Sequence, residues 1–162
     1  MHQSVLTALE SGATLLTASH RLARHLLAEY GAHMERAGHA VWETPAILSW
    51  SEWLARCWEL SPELATAHGR PVLLLTPFQA QALWERLIEE SQADSLLQVP
   101  AAAQTAFEAW RLVQEWRLPL PRAADAPNED VAAFAGWARA FEERCRKQHW
   151  LDGARLPEVL RE

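Results

Sequence analysis

The sequence predicts an α/β chain: a small parallel sheet with flanking helices, followed by a helical subdomain. Three observations carry this. A strand–loop–helix pattern fills Thr14 to Tyr30, a second β-capable stretch follows that helix, and after about Ser91 only helical periodicity remains.

Residues Met1 to Ser11 read as a short helix or a loose lead-in, with Val5, Leu6 and Leu9 as a small apolar patch. Thr14 to Thr17 is the first strand, flanked by Gly12. Ala18 and Ser19 turn the chain, and from His20 onward Leu22, Leu26, Leu27, Tyr30 and Met34 recur at helical spacing. Ser19 suits the N-cap, where its oxygen accepts a bond from an orphan helical N–H. Gly38 ends the helix as a C-terminal glycine. Ala40 to Glu43 then reads as a second strand, parallel to the first by the crossover rule, with Ile47-Leu48 continuing it or forming an extended link.

Ser49 and Glu52 have the spacing of a capping box for a helix whose apolar face is Trp50, Trp53, Leu54, Cys57 and Trp58. Glu63 to Arg70 is a connector, punctuated by Gly69 and Pro71. Val72 to Leu75 is β-capable. Thr76 caps the next helix, with Pro77 at its first position and Ala80, Leu83, Trp84, Leu87 and Ile88 along one side. Gln98 to Arg117 carries Ala103, Phe107, Trp110, Val113 and Trp116 on a helical face. The last long helix, Glu129 to His149, presents Val131, Phe134, Ala138, Phe141 and Cys145. Trp150 to Gly153 turns out of it, and Ala154 to Glu162 starts another helix. These elements place a boundary near residue 92, between a lobe of residues 1–91 and a helical subdomain of residues 92–162. A sheet so small, and an end inside structured sequence, lead us to expect a piece of a larger protein.

Composition limits the function classes. The 162 residues carry a net charge of −6, with Lys147 the only lysine, whereas a module gripping nucleic acid alone is more often basic. Nine tryptophans are many for this length; most are expected in the core or at contacts, each needing a partner for its indole N–H. Cys57 and Cys145 fit buried thiols in a reducing compartment. No signal peptide or membrane-spanning run is legible, which makes a cytoplasmic location the default expectation.

The strand–loop–helix at Thr14 to Tyr30 has the geometry by which α/β proteins hold phosphate. It lacks the glycine-lined nest and lysine of a nucleotide-hydrolysing loop, so ATP hydrolysis is not expected. Ser19, His20, Arg21 and Arg24 are candidates for phosphate or DNA-backbone contact, against the reading of solvated helix residues. Trp42, Trp50, Trp110 and Trp116 are candidates for base stacking or an interface, against core packing. Thr76 and Gln79 are polar groups at a helix start, with capping the simplest role. Adjacent carboxylates such as Glu89-Glu90 and Glu142-Glu143 point different ways on a helix and lack the arrangement that holds a divalent ion for phosphodiester cleavage. No catalytic residue, metal site or cofactor is expected.

Several blocks resemble a known family. Leu16 to Leu26 (LTASHRLARHL) is similar to its opening segment, Trp42 to Leu54 (WETPAILSWSEWL) to its next block, and Leu75 to Glu85 (LTPFQAQALWE) to a third. Trp150-Leu151-Asp152 is a weaker fourth. The family is the group of bacterial DNA repair proteins related to the AddB/RecB-type helicase–nucleases, which carry a C-terminal PD-(D/E)XK nuclease. The resemblance implies a degenerate, scaffold-type helicase lobe with a helical insertion, in which Thr17 to Arg21 stands where active relatives have their ATP-binding loop. The implied role is noncatalytic DNA handling within a repair nuclease. Implied partners are DNA through the full-length protein, a C-terminal region of the same chain, and a helicase or nuclease subunit. A protein-interaction module docking through tryptophan-rich helices is the alternative.

Overall fold

The computed structural model describes residues 2–67, 70–91 and 98–161. It is a mixed α/β chain in which helices predominate. Two compact units form, Met1–Leu60 and Ser61–Glu162.

The first unit opens with α1 (Gln3–Glu10) and β1 (Leu15–Thr17), continues through α2 (His20–Arg36), and ends with β2 (Ile47–Ser49) and α3 (Trp50–Glu59). β1 and β2 pair in parallel, Leu15 opposite Ile47 and Thr17 opposite Ser49. Leu6 and Leu9 from α1, Ala23 and Tyr30 from α2, and Ile47 from β2 are buried together, with Leu26, Leu27, Met34 and Trp42 packed around them. Both α2 and α3 begin on side-chain caps, each worth about 0.5–2 kcal/mol. The Leu22 N–H donates to Ser19 Oγ at 3.3 Å, and Ser49 and Glu52 exchange the two bonds of a capping box. Helices α1 and α2 leave through the same device. Gly12 and Gly38 take φ near +87° and +86°, and the next N–H in each case reaches back to satisfy a helical carbonyl, Ala13 to Ala8 and His39 to Met34.

The second strand is therefore not at Ala40 to Glu43, which is irregular, but at Ile47 to Ser49. The physical reason is burial. Ile47 is enclosed, whereas Val41 is exposed and the indole of Trp42 lies over Gly31 of α2, where an added Cβ would come 3.5 Å from the ring. Placing residues 40–43 beside β1 would leave Ile47 without a core.

The second unit has a short antiparallel pair, β3 (Thr66–Ala67) with β4 (Arg70–Pro71), inside the stretch expected to be a plain connector; Gly69 lies outside the described residues. β5 (Leu73–Leu74) follows, then α4 (Pro77–Glu90), α5 (Val99–Glu115), a 3-10 turn at Ala123–Asp125, α6 (Glu129–Gln148), β6 (Trp150–Leu151) and α7 (Leu156–Val159). β5 pairs in parallel with β6, Leu73 opposite Trp150 and Leu74 opposite Leu151. This corrects one expectation: β structure does not end at Ser91, and the β-capable stretch at Val72 to Leu75 finds its partner after α6. The residues Trp150 and Leu151, expected in a turn, form a strand because His149 takes a left-handed conformation (φ 56°) at the end of α6 and redirects the chain.

The core of this unit is aromatic. Trp84, Trp110 and Phe141, from α4, α5 and α6, are all buried, with Trp84 stacked on Phe141 at a centroid distance of 4.7 Å and Trp110 edge-on to it at 5.7 Å. Ala103, Ala106 and Ala138 are buried in the same cluster, where their small side chains let the helix backbones approach these rings. Rim bonds tie α4 to α6: Arg144 pairs with Glu90 at 2.8 Å, and the Trp137 indole N–H donates to Ser91 Oγ at 3.1 Å. All five residues expected on the apolar side of α4 are buried, and they pack with α5 and α6. For that reason the compact units divide between Leu60 and Ser61. The boundary expected near residue 92 falls outside the described residues, and the helix before it belongs with those after it.

Candidate functional site

At the end of β1 the hydroxyl of Thr17, a buried group, lies within hydrogen-bond distance of the carbonyls of Ser19 (3.0 Å) and Leu48 (3.2 Å). This fixes the turn between strand and helix, so Ser19 can cap α2, whose first residue, His20, lies beside Ser49 at the end of β2. Of the predicted contact group, Ser19 is committed to capping, while His20, Arg21 and Arg24 gather with His25 around an open depression of about 580 Å³. Arg21 and Arg24 are exposed. Amide donors at a helix start and guanidinium forks beside them both suit phosphate oxygens.

His20 has a second set of neighbours that the sequence does not signal. Its Nδ1 lies 3.0 Å from Glu52 Oε1 and its Nε2 lies 3.3 Å from Ser51 Oγ, both on the first turn of α3. The N-termini of the two helices thus meet at the carboxyl ends of β1 and β2. The backbone N–H of Ser49, followed by the Ser49 hydroxyl and the His20 imidazole, holds the Glu52 carboxyl below the usual carboxylate range. Glu52 is legible in sequence as a cap. Its reach to His20 spans 32 positions and leaves no local trace.

The four tryptophan candidates separate. Trp42 packs on the core of the first unit, and Trp50, expected on the apolar face of α3, is 49% exposed and stacks on Trp53 at 5.1 Å. The buried residues of that helix are Leu54 and Trp58. Trp110 is 0% exposed within its own unit and offers no ring face to a base or a partner. Trp116, spaced along the helical face and a candidate for stacking or an interface, lies past the last turn and is 69% exposed. Thr76 and Gln79 form a capping box, the Thr76 N–H donating to Gln79 Oε1 at 2.9 Å.

The Trp110 indole N–H donates to Asp152 Oδ2 at 2.6 Å, a pairing across 42 residues between two buried groups. Burial raises the pKa of Asp152, against the pull of the Trp110 and Ala154 N–H groups and of Arg155. Beside it, burial and then the Asp152 charge push the Cys145 thiol up to about 12. Both cysteines are free; Cys145 is buried and Cys57 partly so.

Among the described residues no three His, Cys, Asp or Glu side chains gather to hold a metal ion, and no helix is long and apolar enough to cross a membrane. Compared with models of protein families the chain matches none, and no curated protein sequence matches it.

Proposed function

We propose that the chain is a helicase-like scaffold that handles DNA within a repair nuclease, noncatalytic toward nucleotides and phosphodiesters. The observation that carries this reading is the open depression at the head of α2, ringed by His20, Arg21, Arg24 and His25, at the end of a strand that pairs in parallel with β2. Such an edge is where open α/β sheets take ligands, and phosphate is the ligand that arginine forks and helical amides fit. The sequence has no lysine near this loop to energise a nucleotide, which favours a contact surface over a motor. The family resemblance of the opening blocks supports the same assignment, with the nuclease carboxylates on another part of the full-length protein.

The test is anisotropy titration of labelled single- and double-stranded oligonucleotides between low and moderate salt. Binding that weakens steeply with salt is expected, and Arg21→Ala with Arg24→Ala should lower the salt slope by about one unit for each phosphate left without its arginine. Absence of binding at low salt would favour a docking module instead. The observation behind that second reading is the exposed apolar group Leu112, Trp116 and Leu118 around the end of α5.

A further inference from the structure

We propose that Ser51, His20 and Glu52 form a serine–histidine–glutamate constellation that hydrolyses carboxylic esters bearing a flat, apolar acyl group. The geometry has the order such chemistry needs. Glu52 Oε1 sits 3.0 Å from His20 Nδ1, and His20 Nε2 sits 3.3 Å from Ser51 Oγ. A carboxylate beside Nδ1 holds the proton there and leaves Nε2 as the acceptor, the tautomer that can take a hydroxyl proton.

The orienting carboxylate is itself held. Glu52 Oε2 accepts the Ser49 N–H at 2.7 Å and the Ser49 hydroxyl at 2.8 Å, and Ser49 is almost fully buried. The capping box that starts α3 therefore also aims the acid at the imidazole. Ser51 Oγ lies on the open side, 3.2 Å from Ser49 Oγ and facing solvent. A helix leaves its first N–H groups without intrahelical acceptors. The capping box uses those of Ser49 and Glu52, so the N–H groups of Trp50 and Ser51 remain beside the nucleophile, where a developing oxyanion would sit. Trp50, half exposed and stacked on Trp53, supplies an apolar platform next to Ser51.

The reaction balances with water alone. Ser51 Oγ bonds to the carbonyl carbon as its proton passes to His20 Nε2. The carbon–alkoxy bond then breaks and the departing alcohol takes that proton. Water attacks the resulting acyl-serine, giving its proton to Nε2, and collapse releases the carboxylic acid and returns the proton to Ser51.

The test uses the 162-residue chain, a serine-directed fluorophosphonate and p-nitrophenyl benzoate, whose acyl group is a flat ring, with the modified residue located by peptide mass mapping. Modification at Ser51 and an acyl burst are expected. Ser51→Ala should abolish both, and His20→Gln should slow both about a hundredfold or more. Glu52→Gln keeps the helix cap, since glutamine serves at that position, and should still slow the reaction through loss of tautomer control. Circular dichroism of each variant separates lost chemistry from lost fold. An unmodified Ser51 in folded protein, modification confined to another serine, or a folded His20→Gln chain reacting at the wild-type rate would each overturn the assignment. The assay contains no nucleic acid, so its outcome is independent of the DNA-handling reading.

Discussion

At the scale of single residues, Asp152 is the most consequential group in the second unit. It is 2% exposed and accepts the indole N–H of Trp110, so Asp152→Ala would leave a buried donor without its partner. Loss of about 1–3 kcal/mol is expected, read from urea denaturation. The sign of the pH effect follows from the raised pKa. The folded state keeps the Asp152 proton to higher pH than the unfolded chain, whose aspartates titrate near 4. Stability from this group is therefore complete below the unfolded value and is lost as pH rises through the folded one. The stability difference between wild type and Asp152→Asn should decline as pH is raised through that window, by chemical denaturation at each pH. Asp152 is not legible as structural: in sequence it reads as part of a turn, and its partner is 42 residues away. The caps are legible, because Ser19, Ser49 with Glu52, and Thr76 with Gln79 act over three residues. The outward faces of Trp50 and Trp116 are not, since helical spacing assigns a ring to a side without saying what lies opposite it.

Among the elements, helix exits allow a direct comparison. Helices α2 and α5 end in the same motif: the N–H of His39 returns to Met34 in one, and that of Leu118 to Val113 in the other. The left-handed position is glycine in the first (Gly38) and arginine in the second (Arg117, φ 50°). A side chain there costs roughly 1–2 kcal/mol. Gly38→Ala should destabilise by about that amount and Arg117→Gly should stabilise, both measured as shifts in urea midpoint at constant slope. Strands are harder to place than helices. β1 is legible from Leu15 to Thr17 beside Gly12, but β5 and β6 are two residues each, and what makes them strands is their pairing with one another. No local pattern encodes a partner more than seventy positions away. The second strand of the first unit shows the same limit. β-propensity favours Val41 and Trp42, and burial of Ile47 decides the matter.

For the molecule as a whole, the division at Leu60 and Ser61 separates two cores of unequal means. The second holds Trp84, Trp110 and Phe141 in mutual contact, together with both partners of the Asp152 bond. Expressed alone, residues 61–162 should unfold cooperatively and keep near-ultraviolet dichroism from the packed indoles. A featureless spectrum with non-cooperative melting would show that this core depends on the first unit. The first unit, with 60 residues and a smaller apolar cluster, belongs to the size range in which folding alone is marginal. Its carboxyl-edge assembly of His20, Ser51 and Glu52 is legible only in part, since the capping pattern announces Glu52 while the imidazole arrives from another helix.

The β5–β6 pairing has one more consequence. The N–H groups of Leu73 and Leu75 donate to the carbonyls of His149 and Leu151 at 2.9 and 2.8 Å, fastening early chain to late chain. Between them, the exposed segment from Arg117 to Leu118 is a natural place for a protease to enter. A single cut there should yield two peptides that travel together on a sizing column and part only in denaturant.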